Sequence, residues 1–185
     1  MDFFSNPYLV ATEGEKTEEI YFNIFRTPEY RKNIQVKILS ARRGNSSPKA
    51  VMKRLQSKAR EMDLQSGDEL WVVIDDDKRP KEQLQVIVNE CKEKHNYFFA
   101  ISNPCFELWL LLHQKNYKAP PTPELCEQEL AKLFEKPYDK TNYEVSKLEP
   151  YIKNAIAHAQ KLDTTDIPKE VGTGVYRLVE KLIKK

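Results

Sequence analysis

Up to Ser102 the chain alternates short apolar runs with stretches of helical spacing; beyond it only helical spacing remains. Tyr8-Leu9-Val10-Ala11 reads as a first strand and ends in Thr12-Glu13-Gly14-Glu15. Ile20, Tyr21, Ile24 and Phe25 then recur at helical intervals, which predicts a helix from about Thr17, its N-cap, toward Pro28. Ile34, Val36 and Ile38 alternate as in a second strand, and the loop ARRGNSSP leads to a helix opened by Pro48 and running to about Met62, with Val51 and Leu55 inward. Leu70 to Ile74 makes a third strand, Pro80 to about Lys94 a helix, and Tyr97 to Ile101 a fourth strand. This βαβαβαβ order with helix-length crossovers predicts an α/β fold, a mostly parallel four-stranded sheet flanked by helices.

After the fourth strand, Asn103 is a fitting helix cap with Pro104 at the first helical position. The segment CFELWLLLH is apolar nearly all round and predicts a buried helix. Pro120, Pro121 and Pro123 stiffen a connector into a helix around Glu124 to Phe134. Two further amphipathic helices follow, one marked by Tyr151, Ile152, Ala155, Ile156, Ala159 and Leu162, the other by Val175, Leu178, Val179, Leu182 and Ile183. The 185 residues are expected to form one domain, with a sheet-bearing core over about residues 5–115 and a helical part over about 116–185.

The third strand drives straight into Asp75, Asp76 and Asp77. An apolar run of this kind suits a strand buried on both faces, and its end then lies at the sheet edge where α/β proteins bind ligands. Side chains alternate along extended chain, so Asp75 and Asp77 point one way and Asp76 the other. Two carboxylates pointing together repel unless a cation sits between them. Taken alone, the run reads equally as a solvated acidic turn; other acids converging on the same edge decide against that.

Such acids are present. Glu13 ends the first strand, so if the first and third strands are neighbours it faces Asp75 and Asp77, with Gly14 beside it permitting close approach or an unusual turn. Glu18 lies one helical turn further on and could lean back to the same cluster, although Glu15, Glu18 and Glu19 also suit a helix start. Glu107 stands among Phe106, Leu108, Trp109 and Leu110, where an unpaired carboxylate is costly, so it calls for a metal, a basic partner or a cap. His113 reads as a helix-end histidine rather than a ligand.

Composition narrows the classes. With 31% charged and 40% hydrophobic residues the chain is that of an ordinary soluble globular protein. The start MDFFSNPYLVATEGE has neither a basic region nor a long apolar stretch, and no run approaches the ~18 apolar residues of a membrane span. Cys91, Cys105 and Cys126 are odd in number and lack CxxC spacing, which argues against a disulfide scaffold or a zinc site. A cytoplasmic protein without membrane attachment is expected.

A net charge of +2 conceals strong patterning. Arg31 to Arg60 holds ten basic residues and no acid, among them Arg42, Arg43, Lys49, Lys53 and Arg54. A basic surface beside an acidic pocket fits a polyanionic substrate handled with a metal, while a solvated helix face is the simpler reading of the stretch alone. The chain contains no GxxxxGK[ST], GxSxG or HExxH segment, and the large acidic cluster follows the third strand rather than the first, unlike a receiver domain.

A strand ending in Glu-Gly followed by one ending in Asp-x-Asp resembles the Toprim domain of topoisomerases, primases and nucleases of the OLD type. That resemblance implies an acid/base or metal-ligand role for Glu13 and Mg²⁺ binding by Asp75 and Asp77. The segments TEGEKTE (residues 12–18), VVIDDDK (72–78) and SNPCFELWLLLH (102–113) together resemble the RloB-like family of prokaryotic restriction and phage-defence loci. GVYRLVEKLI (174–183) is similar to that family's last helix, with Tyr176 where a histidine is common. The resemblance also implies a partner ATPase similar to RloA. By likeness to OLD-type nucleases, an acid in the stretch from Ser102 to Glu107 and a late lysine, Lys140, would join the site.

The expectation is therefore a nuclease dependent on Mg²⁺ or Mn²⁺, with catalytic residues Glu13, Asp75, Asp77 and Lys140. Metal ligands would come from Glu13, Glu18, Asp75, Asp77 and Glu107, and Arg42, Arg43, Lys49, Lys53 and Arg54 would grip DNA or RNA. The alternative is a non-catalytic regulatory or nucleic-acid-binding subunit of the same shape. Metal-assisted transfer to a small phosphorylated molecule is a weaker third reading, because a small substrate needs no basic stretch so broad.

Overall fold

The computed structural model of the chain describes residues 7–31, 35–41, 46–76, 78–115, 119–120 and 122–184. Parallel strands β1 (Pro7–Thr12), β2 (Gln35–Leu39), β3 (Glu69–Asp75) and β4 (Tyr97–Asn103) lie in the order β2-β1-β3-β4. A two-residue strand, β5 (Gly172–Thr173), pairs antiparallel with Ser102 and Asn103 on the outer side of β4. The expected four-stranded sheet is thus the parallel part of a five-stranded mixed one. Two residues carry no periodic signal; β5 is fixed instead by the Ser102 and Thr173 hydroxyls 2.8 Å apart, and by Gly172 lying so close to the Asp163 carbonyl that a Cβ would stand 2.2 Å from it.

Side-chain alternation along the strands feeds two cores. Leu9, Ala11, Leu70, Val72 and Ile74 face helices α3 (Pro48–Arg60) and α4 (Lys81–Lys92). Tyr8, Val10, Trp71 and Val73 face the other way, under α1 (Thr17–Phe22), α5 (Phe106–Leu111), α6 (Pro123–Phe134), α7 (Ile152–Ala159) and α8 (Val175–Ile183). A fully buried Leu, Ile or Phe contributes roughly 1.5–3 kcal/mol, so a sheet covered on both faces explains why its central strands are apolar without alternation. Among the described residues no helix is long and apolar enough to cross a membrane.

Helix starts follow the sequence where a hydroxyl precedes proline. Ser47 and Thr122 accept the amides of Ala50 and Leu125, each at 3.3 Å, and Pro48 and Pro123 open α3 and α6. Three expectations are corrected. Asn103 remains in β4, where its amide group donates to the carbonyls of Pro168 and Glu170, so α5 begins at Phe106 after Cys105. Thr17 lies inside α1 with its hydroxyl on the Lys140 carbonyl, and Lys16 takes the cap position. Pro28 opens a short helix of its own, α2 (Pro28–Arg31), after a 3-10 turn at Asn23–Arg26. Ile34, expected in the second strand, lies outside the described residues.

Candidate active site

The strand order reverses at β1: β2 lies on one side of it and β3 on the other. The carboxyl ends of β1 and β3 therefore flank a topological switch point, the place where open α/β sheets bind ligands. Glu13 leaves β1 there, its amide donating to the Val73 carbonyl at 3.0 Å, while the Asp75 amide donates to Glu13 Oε2 at 3.1 Å. Two acids 62 residues apart are thus fastened to each other through backbone.

Parity along β3 assigns the aspartates. Asp75 follows Trp71 and Val73 to the side of α1 and α5, whereas the buried Asp76 turns to the opposite face and ion-pairs with Lys81 of α4. Asp77 lies outside the described residues, as do Arg42 and Arg43.

Glu18 leans back from α1, and the Gly14 amide donates to its Oε1 at 2.9 Å. A Cβ on Gly14 would stand 2.0 Å from Glu18 Oε2. Close approach of this buried carboxylate is therefore what requires glycine at position 14. Glu107, in the first turn of α5, is 4% exposed and takes partners from the segment after α6: the Tyr138 hydroxyl and Lys140 Nζ, both at 3.4 Å. Lys140 Nζ also lies 2.9 Å from Glu127. Glu13, Glu18, Asp75, Glu107 and Lys140 all line one cavity of about 310 Å³.

Electrostatics reflect this crowding. Burial, then the charges of Glu18, Glu107 and Glu13, push the Asp75 carboxyl well above the usual carboxylate range, with Arg79 acting the other way. Burial is also the largest influence on Glu18, which rises to about 7 despite amide hydrogen bonds that favour its charged form. Burial works against the charge on Lys140, but Glu107 and Glu127 outweigh it and keep the ammonium protonated.

Arg79 is the residue that the sequence reading missed. Its guanidinium pairs with both oxygens of Glu13, donating from Nη1 to Oε2 at 2.8 Å and from Nη2 to Oε1. A cation two residues beyond an acidic run is the only trace it leaves in sequence; between them Lys78 turns the chain, with φ 55°.

The remaining candidates separate. Lys49 and Lys53 are exposed on α3, whereas Arg54 donates to the strand-end carbonyls of Leu39 at 3.2 Å and Thr12 at 2.6 Å. His113 is buried away from the cavity. Its Nδ1 faces the Trp109 carbonyl at 3.0 Å, so in the neutral ring Nδ1 donates and Nε2 accepts from the Tyr21 hydroxyl at 3.1 Å.

The three segments that converge here are residues 12–18 with Glu13 and Glu18, 72–78 with Asp75, and 102–113 with Glu107. Residues 8–182 match the family model described as RloB-like protein. The chain belongs to the RloB-like family. Searches among curated proteins and among solved structures found no match.

In this RloB-like chain the cavity acids suit a hard divalent cation, since every donor is a carboxylate oxygen. Among the described residues, Asp75 Oδ1 is buried without a hydrogen-bond partner, a position that a cation would satisfy. As the side chains stand, Glu13 is turned onto Arg79, Glu18 onto Gly14 and Glu107 onto Lys140. Among the described residues, accordingly, no three His, Cys, Asp or Glu groups are placed together to hold an ion.

Proposed function

We propose that this RloB-like chain is a nuclease dependent on Mg²⁺ or Mn²⁺, with a Toprim-like arrangement of acids. The observation that carries the reading is the buried Asp75 oxygen at the switch point, which has no hydrogen-bond partner among the described residues and shares its cavity with Glu13, Glu18 and Glu107. A carboxyl left without a donor in such company is costly unless a cation joins it. Asp75, Glu13 and Glu18 would hold the ion, with Asp77 following Asp75 in sequence and Glu107 on the Lys140 side. When bound, such an ion would activate water and offset charge on the scissile phosphate.

The chain's own groups do the rest. Lys140, held charged by Glu107 and Glu127, presents its ammonium to the cavity, where it would steady a phosphate oxygen. Gly14 leaves room for Glu18 to reach the site. Exposed Lys49 and Lys53 would attract the flanking phosphates of DNA or RNA. Family membership is the ground for proposing a role in phage defence and a partner ATPase similar to RloA.

One observation favours a second reading. With Glu13 committed to Arg79, the chain could serve as a nucleic-acid-binding regulatory subunit that turns nothing over. Incubation of the purified protein with Mn²⁺ and labelled single- and double-stranded DNA and RNA, beside Asp75→Ala, separates the two. Cutting that depends on metal and on Asp75 supports the nuclease; binding of nucleic acid and of the ATPase without cutting, in isolation and together, supports the regulatory subunit.

A further inference from the structure

Next to the candidate active site, a cleft of about 840 Å³ runs between α3 and α4. Lys49, Lys53 and Arg60 line it from α3. Their spacing of four and seven residues places all three within about 40° of one stripe on the helix, spread over about 16 Å of its length. None of them has an ion-pair partner among the described residues, whereas Lys58 of the same helix pairs with Glu61. Glu90 is the acid that lines the cleft, and it already accepts from Gln56 and faces Lys94. Among the described residues, three unpaired cations thus face a cleft whose one acid is occupied.

The floor of the cleft is apolar. Met52 and Ile87 are buried beneath it, and Val86 stands 61% exposed, the most exposed large apolar side chain among the described residues. The cleft also adjoins the acidic cavity along the chain: Ser46 lines the cavity, and Ser47 and Pro48 line the cleft.

We infer that this cleft is the track for an unpaired strand of the nucleic-acid substrate, which runs from the acidic cavity past Lys49, Lys53 and Arg60 with its bases against Val86. The inference rests on the nuclease reading for the identity of the polyanion. The case for a single strand is physical. The cleft, of about 840 Å³, has room for a few nucleotides of one extended chain and cannot enclose a duplex. A duplex would ride on the rim, touching the cations but not the floor. Only an unpaired strand offers bases to an apolar surface.

The test uses fluorescein-labelled single-stranded oligonucleotides, of DNA and of RNA, and the same sequences as duplexes. Binding is measured in EDTA over a series of salt concentrations. Lys53→Gln/Arg60→Gln should weaken single-strand binding on the order of tenfold and lower its salt slope by roughly 1.4, two phosphate contacts at ~0.7 each. Val86→Ser, which removes apolar surface without adding charge, should weaken the single strand severalfold and leave the duplex unchanged. Lys153→Gln/Lys161→Gln, on exposed positions elsewhere, should bind as the wild type does.

Equal affinity of the Lys53→Gln/Arg60→Gln variant and the wild type overturns the inference, as does equal loss of single strand and duplex in Val86→Ser. A wild-type chain that binds no oligonucleotide, yet binds an acidic amphipathic helical peptide, also overturns it and gives the cleft to a protein partner. The underlying reading fails separately. Strand binding that requires the cleft, with no cutting in Mn²⁺ either with or without the partner ATPase, leaves the track standing and removes the nuclease.

Discussion

Arg79 holds Glu13 through both carboxylate oxygens, at the point where β1 and β3 deliver their acids to one cavity. The guanidinium supplies the positive charge that this crowded edge needs, and it is one of the influences that oppose the rise of the Asp75 pKa. In the proposed metal site, Arg79 and a divalent cation would therefore compete for Glu13. Arg79→Ala should lower the stability of the metal-free protein by roughly 3 kcal/mol, because a mostly buried carboxylate loses its partner. It should also tighten Mn²⁺ binding severalfold. Urea unfolding in EDTA and calorimetric titration with Mn²⁺ check the two effects, and weaker Mn²⁺ binding in the variant would mean that Arg79 organises the site instead.

Gly14 is set by Glu18. Because a Cβ there would stand 2.0 Å from the buried Glu18 oxygen, Gly14→Ala must displace that carboxylate. Overpacking of this kind costs about 1–3 kcal/mol. Mn²⁺ affinity should fall in the folded variant, measured by the same titration, while circular dichroism stays that of the wild type. Unchanged metal affinity would remove Glu18 from the ligand set.

His113 makes the protein acid-sensitive through its core. Burial, opposed by the carbonyls of Trp109 and Leu110, lowers its pKa from 6.5 to about 4. The unfolded chain then binds the proton first as pH falls. Stability from this group is full above pH 6.5 and is lost as pH drops toward 4, by roughly 3 kcal/mol. In His113→Gln that component disappears, so the difference in unfolding free energy between wild type and variant should shrink as pH falls from 7 to 4. A constant difference across that range would contradict the assignment.

Arg54 should behave unlike its neighbour Lys53. Its guanidinium satisfies the carbonyls of Leu39 and Thr12, so Arg54→Ala should cost about 1–3 kcal/mol of stability. The folded variant should bind oligonucleotides with at most a small loss. A loss as large as that of Lys53→Gln/Arg60→Gln would put Arg54 among the phosphate contacts.

Much of this arrangement was legible in the chain. The apolar run into three aspartates carried strand, burial and parity together, because alternation leaves Asp75 and Asp76 on opposite faces once Ile74 is placed in a core. The places of Glu13 and Glu107 in the cavity are legible by position, one at a strand end and one as a charge in an apolar helix. Features set by tertiary approach left no such mark. Two residues of β5 are held by a hydroxyl pair and a glycine contact, and Asn103 looks like a cap until Gly172 pairs with it. Arg79 reaches Glu13 across 66 residues, which no local period encodes.

The most direct measurement is cleavage of labelled single-stranded DNA and RNA by the wild type and by Asp75→Ala, in Mn²⁺, Mg²⁺ and EDTA, with and without a partner ATPase. Cutting by the wild type that requires the metal and falls at least about 100-fold in the variant, with strand binding retained, is the expected result. Cutting in EDTA, or cutting by Asp75→Ala at the wild-type rate, would contradict the assignment of this cavity as a metal-dependent active site.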